Sequence, residues 1–147
     1  MISHPIIRIG GKILFPQSYR HASLPVISYI QTDGSFKPGE ARIAGILRTP
    51  AKSIQYRFPI KAKSSTETEW ASVAFGLQIA LEYNCDTVAL ENDNLGVIRS
   101  LLFPDSRLRH EYARIYRDRI LTLSTKTEWT GVRWIPRDQN TADALFR

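Results

Sequence analysis

The chain has 147 residues, 43% hydrophobic and 23% charged, and carries a net charge of +6. That length suits a single domain with a core of its own, and no apolar run approaches the ~20 residues that a membrane-spanning helix needs. The one cysteine, Cys85, cannot close an internal disulfide, and Met1–Pro5 does not begin a basic-then-apolar leader, so the expected location is cytoplasmic.

The sequence pI of about 9.7 points to a polyanionic partner, because neutralising phosphates releases counterions. Composition alone leaves nucleic acid, an anionic membrane surface and a merely soluble basic surface open.

In residues 1–25, two short apolar runs flank Gly10-Gly11 within Ile6–Phe15, which predicts a small hairpin. That segment is too short for its own core and is expected as an appendage on a domain spanning 26–147. Val26–Thr32 is a β-branched and aromatic run that meets a turn signal at Asp33-Gly34. Glu40–Arg48 and Lys52–Ile60 read as two more strands, joined near Thr49-Pro50-Ala51, and complete an antiparallel meander. Over Thr66–Asn84 the period becomes helical, with Trp70, Val73, Ala74, Leu77 and Leu81 in one stripe. Cys85 follows as a small residue at the helix exit.

Asp86–Glu91 is a short strand with Val88 and Leu90 on one face. Asn94–Leu102 is a second helix, stopped near Phe103-Pro104, and Leu108–Leu123 a third. Glu128–Ile135 is the last strand, and Asp138–Phe146 a terminal helix capped by Asn140 or Thr141. The order is βββαβααβα, an α/β fold with a central mixed five-stranded sheet and helices on both faces.

Four carboxylates stand in distinctive strings. Asp33 lies in Thr32-Asp33-Gly34-Ser35, and Glu69 in Ser64-Ser65-Thr66-Glu67-Thr68-Glu69-Trp70. Asp93 lies in Leu90-Glu91-Asn92-Asp93-Asn94, and Asp143 in Asn140-Thr141-Ala142-Asp143-Ala144-Leu145. If the first and fourth strands are parallel neighbours, Asp33 and Asp93 emerge at one rim, where ligands sit in open α/β sheets. Glu69 sits on the helix above Val73, Gly76 and Ala80, small residues that let it approach the strand ends. Three neighbours compete: Glu67, read as a first-turn anion favoured by the helix dipole; Glu91, on the same strand face as Asp93; and Asp138, in place of Asp143. The histidines at 4, 21 and 110 are scattered, no His or Cys pair has zinc spacing, and a metal site would be all oxygen.

The four strings, in this order, resemble the ribonuclease H family over residues 26–147. Ser64–Trp70 resembles the SSTEAEY-like segment of retroelement ribonucleases H, and the carboxyl end resembles their N-x-x-A-D-A-L-S-R ending. The resemblance implies a metal-dependent endonuclease that hydrolyses the RNA strand of RNA–DNA hybrids, leaving a 5′-phosphate and a 3′-hydroxyl. It implies that Asp33, Glu69, Asp93 and Asp143 are catalytic and hold two divalent ions, Mg²⁺ with Mn²⁺ as substitute, Asp33 bridging both.

Substrate contacts are expected from Gly34 and Ser35, from Ser64, Ser65 and Thr66, and from Asn94 and Arg137. Ser65 and Thr66 replace the paired asparagines of bacterial relatives. The loop at Trp134-Ile135-Pro136-Arg137 lacks the histidine many of them carry, which predicts slower turnover. No long basic insertion separates the second and third helices; instead Arg107, Arg109, Arg114, Arg117 and Arg119 load the third, where a solvated face is the plainer reading. Trp129 and Trp134 read as core rather than base-stacking platforms.

The expected partner is an RNA–DNA hybrid, with no membrane and no obligate protein partner, the chain acting as a monomer. The rival readings are another nuclease on the same scaffold (exonuclease, transposase or resolvase) and a non-catalytic nucleic-acid-binding relative. Ser35, where related exonucleases place a glutamate, and Asp143, where transposases do, argue against the first. Four retained anions, costly where phosphate must bind, argue against the second.

Overall fold

In the computed structural model, residues 6–8, 13–14 and 27–147 are described. The elements are β1 (Ile6–Arg8), β2 (Ile13–Leu14), β3 (Ser28–Lys37), β4 (Glu40–Arg48), β5 (Ser53–Ile60), α1 (Ser65–Glu82), β6 (Thr87–Asn92), α2 (Leu95–Leu102), α3 (Glu111–Ser124) and β7 (Trp129–Trp134). Two 3-10 segments, Arg137–Gln139 and Thr141–Phe146, follow.

The strands form one sheet in the order β2-β1-β7-β6-β3-β4-β5. Its five-stranded core is mixed as expected: β3, β4 and β5 are an antiparallel meander, while β6 runs parallel to both β3 and β7. The predicted hairpin pairs Ile6 with Leu14 and lays β1 antiparallel on β7, adding two short strands to that core. The remainder of the amino-terminal segment lies outside the described residues.

Asp33-Gly34 does not end the first strand. β4 keeps pairing with β3 as far as Lys37↔Glu40, and the turn falls at Pro38-Gly39, where Gly39 takes a φ of +77° that glycine favours. What ends earlier is the parallel ladder between β3 and β6, whose last pair is Gln31↔Glu91.

One face of the sheet carries the apolar core. Ile30, Leu47, Leu90 and Val132 point from the strands into Val73 and Leu77 of α1, with Val97, Ile98 and Leu101 of α2 and Ile120 of α3 closing the cluster. Each such fully buried side chain contributes about 1.5–3 kcal/mol relative to exposure. Gly76 sets how close α1 comes, since a Cβ there would lie 2.5 Å from Thr32 Cγ2.

The opposite face receives the carboxyl-terminal segment. The expected helix over Asp138–Phe146 is instead two 3-10 pieces divided at Asn140, whose extended φ of −85° and ψ of 98° interrupt it. Runs this short do not repay α-helix nucleation, and side-chain bonds to the sheet select the tighter turn. No helix of the described residues is long and apolar enough to cross a membrane.

Candidate functional site

The site lies where parallel pairing stops. Two residues beyond the last β3–β6 pair, Asp33 is buried on β3, and Asp93 leaves β6 just before α2. Glu69 comes from the opening turns of α1 and accepts a hydrogen bond from the Gly34 amide at 3.1 Å. α1 can come this near because Gly34 has no side chain: a Cβ would sit 2.9 Å from Thr68 Cγ2 and 3.1 Å from the Thr68 carbonyl. Asp33, Glu69 and Asp93 each offer an oxygen, and the three oxygens lie within 4.8 Å of one another.

Such proximity is costly for anions. Burial, then the charge of Asp93, pushes the Asp33 carboxyl up to about 7, and burial, then the charges of Asp33 and Asp93, pushes Glu69 up to about 8. Burial also raises Asp93, opposed by a hydrogen bond from Asn140 and the nearby Arg137 guanidinium. The donors are all carboxylate oxygens, and a divalent cation would relieve the burial and repulsion together. The residues therefore fit a hard, oxygen-seeking ion.

Two asparagines brace the cluster. Asn92 is fully buried; its Nδ2 donates to the Thr32 carbonyl at 2.9 Å and to Thr32 Oγ1 at 3.0 Å, and its side chain also hydrogen-bonds Glu69. Asn140 donates to the same carbonyl at 2.8 Å and to Asp93 Oδ2 at 3.4 Å, while its Oδ1 caps Ala142 N. Trp134 Nε1 holds the Asp93 carbonyl at 3.0 Å. The sequence flagged Asn140 only as a cap, and Asn92 and Trp134 not as parts of the site. A buried asparagine at a strand end beside an aspartate was the available signal.

Asp143 stands apart from the three-carboxylate cluster. Its carboxyl lies near enough to Asp33 to accept from that acid when it is protonated, and pairs with Arg147 at 2.8 Å. The stretch Asn140-Thr141-Ala142-Asp143 has one residue fewer between Asn and Ala than the N-x-x-A-D ending it resembles. A cavity of about 560 Å³ opens beside Asp143 between Arg137 and Arg147.

The competing acids have other partners. Glu67 accepts from Lys63 N at 2.8 Å while Ser64 Oγ accepts from Glu67 N at 3.1 Å, a helix-start cap. Glu91 is ion-paired with Arg133, and Asp138 is exposed.

Several expected substrate contacts are also committed within the protein. The Gly34 amide goes to Glu69, Ser64 caps α1, and Asn94 caps α2 by accepting from Val97 N at 3.0 Å. Ser35 is half-buried in β3, whereas Ser65 and Thr66 are exposed at the start of α1 and Arg137 is exposed near Asp93. Of the arginines expected on the third helix, Arg107 and Arg109 lie before α3 begins at Glu111; Arg117 is buried and donates to Ser106 Oγ at 3.0 Å, and Arg107, Arg109, Arg114 and Arg119 are exposed. Trp129 is buried in a small satellite core, as read from sequence.

The sequence model of the reverse transcriptase-like family, a ribonuclease H-like family, matches residues 31–145. The chain belongs to this family. The match takes in all four carboxylate strings of this ribonuclease H-like chain. Solved structures agree on the fold. The amino-terminal RNase H domain of a Mycobacterium tuberculosis protein, solved as a maltose-binding-protein fusion, is similar at TM-score 0.73 and 19% identity, over 82% of this chain and 91% of that one. RNase H1 of the halophilic archaeon Halobacterium salinarum NRC-1 gives 0.72 and 22%, over 82% and 92%. The compost-derived LC11-RNase H1, solved in complex with an RNA/DNA hybrid, gives 0.68 and 17%, over 82% and 93%. No curated protein matches the sequence.

Proposed function

We propose that this ribonuclease H-like chain is a metal-dependent endonuclease that hydrolyses the RNA strand of RNA–DNA hybrids, residues 26–147 forming the catalytic unit. The observation that carries this reading is the convergence of Asp33, Glu69 and Asp93 within 4.8 Å under burial that disfavours their charges. Family membership and the similar structure holding an RNA/DNA hybrid support the choice of substrate.

Asp33, Glu69 and Asp93 would hold one divalent ion, and Asp33 with Asp143 a second, Mg²⁺ in the cell and Mn²⁺ as substitute. Two bound ions supply activation of the attacking water and stabilisation of the leaving 3′-oxygen. The chain's own residues do the rest. Asn92 and Asn140 hold β3, the β6 end and Asp93 together through the Thr32 carbonyl, so the carboxylates do not relax apart. Arg137, exposed next to Asp93, orients a phosphate and excludes a stray cation from that side. The Ser65 and Thr66 hydroxyls, exposed at the start of α1, meet the ribose 2′-OH or a phosphate. Such contacts read backbone shape rather than base sequence.

The test is cleavage of an end-labelled RNA–DNA hybrid by the purified chain in Mg²⁺ or Mn²⁺. Internal cuts in the RNA strand alone are expected. Equal cutting of plain duplex DNA, end-shortened ladders from single-stranded DNA, or no cutting in either metal would contradict the proposal.

A further inference from the structure

Glu91 competed with Asp93 for the metal site in sequence, and the structure gives it a different neighbourhood. It is buried on β6, only 3% exposed, on the sheet face opposite α1, and is ion-paired with Arg133 of β7. Its second oxygen accepts from Gln31 Nε2 at 2.9 Å.

That bond fixes which way the Gln31 amide faces. A carboxylate can only accept, so Gln31 must turn its NH₂ to Glu91 and its carbonyl oxygen the other way. The carbonyl oxygen then accepts from Thr141 N at 3.0 Å and from the Thr141 hydroxyl, which in turn takes a bond from Arg48 at 3.1 Å. Arg133, Glu91, Gln31 and Thr141 thus form one chain across three strands to the terminal segment. Beside it, Asn140 holds the Thr32 carbonyl. Consecutive residues of the segment, Asn140 and Thr141, are therefore tied to consecutive residues of β3, Thr32 and Gln31. This sets the register that lays Asp143 against Asp33.

The segment needs such a tie. It is six residues of 3-10 turn whose only fully buried side chain is Ala142, and its motif is one residue shorter than the ending it resembles. We propose that Gln31, oriented by the Glu91–Arg133 pair, is a positioning residue for Asp143, and so sets the affinity of this chain for its second divalent ion. The proposal rests on the reading of Asp143 as a ligand of that ion. Asn140 alone does not suffice for the register, because its two side-chain ends are already divided between Thr32 and Asp93 on one side and Ala142 on the other.

The experiment is calorimetric titration of Mn²⁺ into the full, metal-free chain and its Gln31→Met variant. Methionine keeps the length and removes all three side-chain hydrogen bonds. The second binding step is expected to weaken about tenfold or more, the usual scale for lost outer-shell partners, while the first step is unmoved. In hybrid cleavage the Mg²⁺ half-saturation should rise by a similar factor with the KM for hybrid unmoved. A merely structural role would lower Tm without shifting the metal dependence.

Should Gln31→Met fail to fold, Thr141→Val, at an exposed position, removes the hydroxyl link and is expected to shift the second step in the same direction by a smaller factor. Unaltered second-step affinity in whichever variant folds overturns the proposal. If the wild-type chain itself binds no second ion, the reading of Asp143 fails instead, so the two failures are distinguishable.

Discussion

On the face that receives α1, Ile30, Leu47, Leu77, Leu90 and Val132 are buried to 1% exposure or less and belong to one apolar cluster. On the opposite face Gln31 and Arg48 hydrogen-bond the terminal segment, and Gln31 is in turn held by Glu91, which is ion-paired with Arg133. Apolar burial is undirected but large in sum, and it fixes the elements that carry Asp33, Glu69 and Asp93. Each hydrogen bond adds only about 0.5–1.5 kcal/mol net, yet it specifies direction, which is what the placement of Asp143 requires. The candidate site lies on the seam, three carboxylates held by the first kind of packing and a fourth by the second.

The largest expected effect is at that seam. Asp33→Asn keeps size and most hydrogen bonding but removes the charge shared by all the proposed ligand contacts. Cleavage of hybrid should fall by about a thousandfold or more, equivalent to several kcal/mol of transition-state stabilisation, while hybrid binding holds or tightens as repulsion of phosphate weakens. Near-normal turnover in this variant would remove Asp33 from the site.

A stability comparison separates the two faces. Gly45 lies under the Tyr56 side chain, and a Cβ there would overlap the Tyr56 ring and hydroxyl. Gly45→Ala should therefore cost about 1–3 kcal/mol in urea denaturation through overpacking. Arg57→Ala, which removes a 2.9 Å bond from an exposed guanidinium to the Leu145 carbonyl, should cost less than about 1 kcal/mol. If the two variants cost the same, the contrast between the faces fails.

The pH dependence of the metal-free chain sharpens the same picture. Asp33 and Glu69 are raised in the fold to about 7 and about 8 from ordinary carboxylate values of 3.8 and 4.5. Between those limits the folded state binds more protons than the unfolded state, so their contribution favours folding at low pH and is lost as pH rises through 7 and 8. In chelator, Tm should fall between pH 5.5 and pH 8.5, and Mn²⁺ should restore it most at the upper end. A Tm independent of pH and metal over this range would contradict the repulsion drawn from the geometry.

The smallest effect is expected away from both faces. Glu67→Gln removes charge from a helix-start cap and should leave cleavage within a few-fold, with a slight loss of Tm. Loss of cleavage here would exchange the roles of Glu67 and Glu69.

Most elements were legible because their signals are local. The 3.6-residue stripe of α1 and the β-branched run entering β3 need no distant partner to be read. The continuation of β3 through Asp33-Gly34-Ser35 to Lys37 was hidden because pairing from β4 overrides a turn signal. The terminal segment was expected as α-helix, and contacts from Arg48, Gln31 and Arg57 across the sheet made it 3-10. At the site, the convergence of Asp33, Glu69 and Asp93 followed from placing motifs on a parallel sheet. The Asn92–Thr32 bond and the Arg133–Glu91 pair did not, because their partners are 60 and 42 residues apart in sequence.

The central claim, that Asp33, Glu69 and Asp93 form a divalent-cation centre, is tested most directly by Mn²⁺ binding to the free chain at pH 8, without nucleic acid, compared with Asp33→Asn. Saturable binding with release of protons is expected from the wild-type chain, and at least about a tenfold loss of affinity in the variant. No saturable binding by the wild-type chain, or equal affinity in Asp33→Asn, would contradict it.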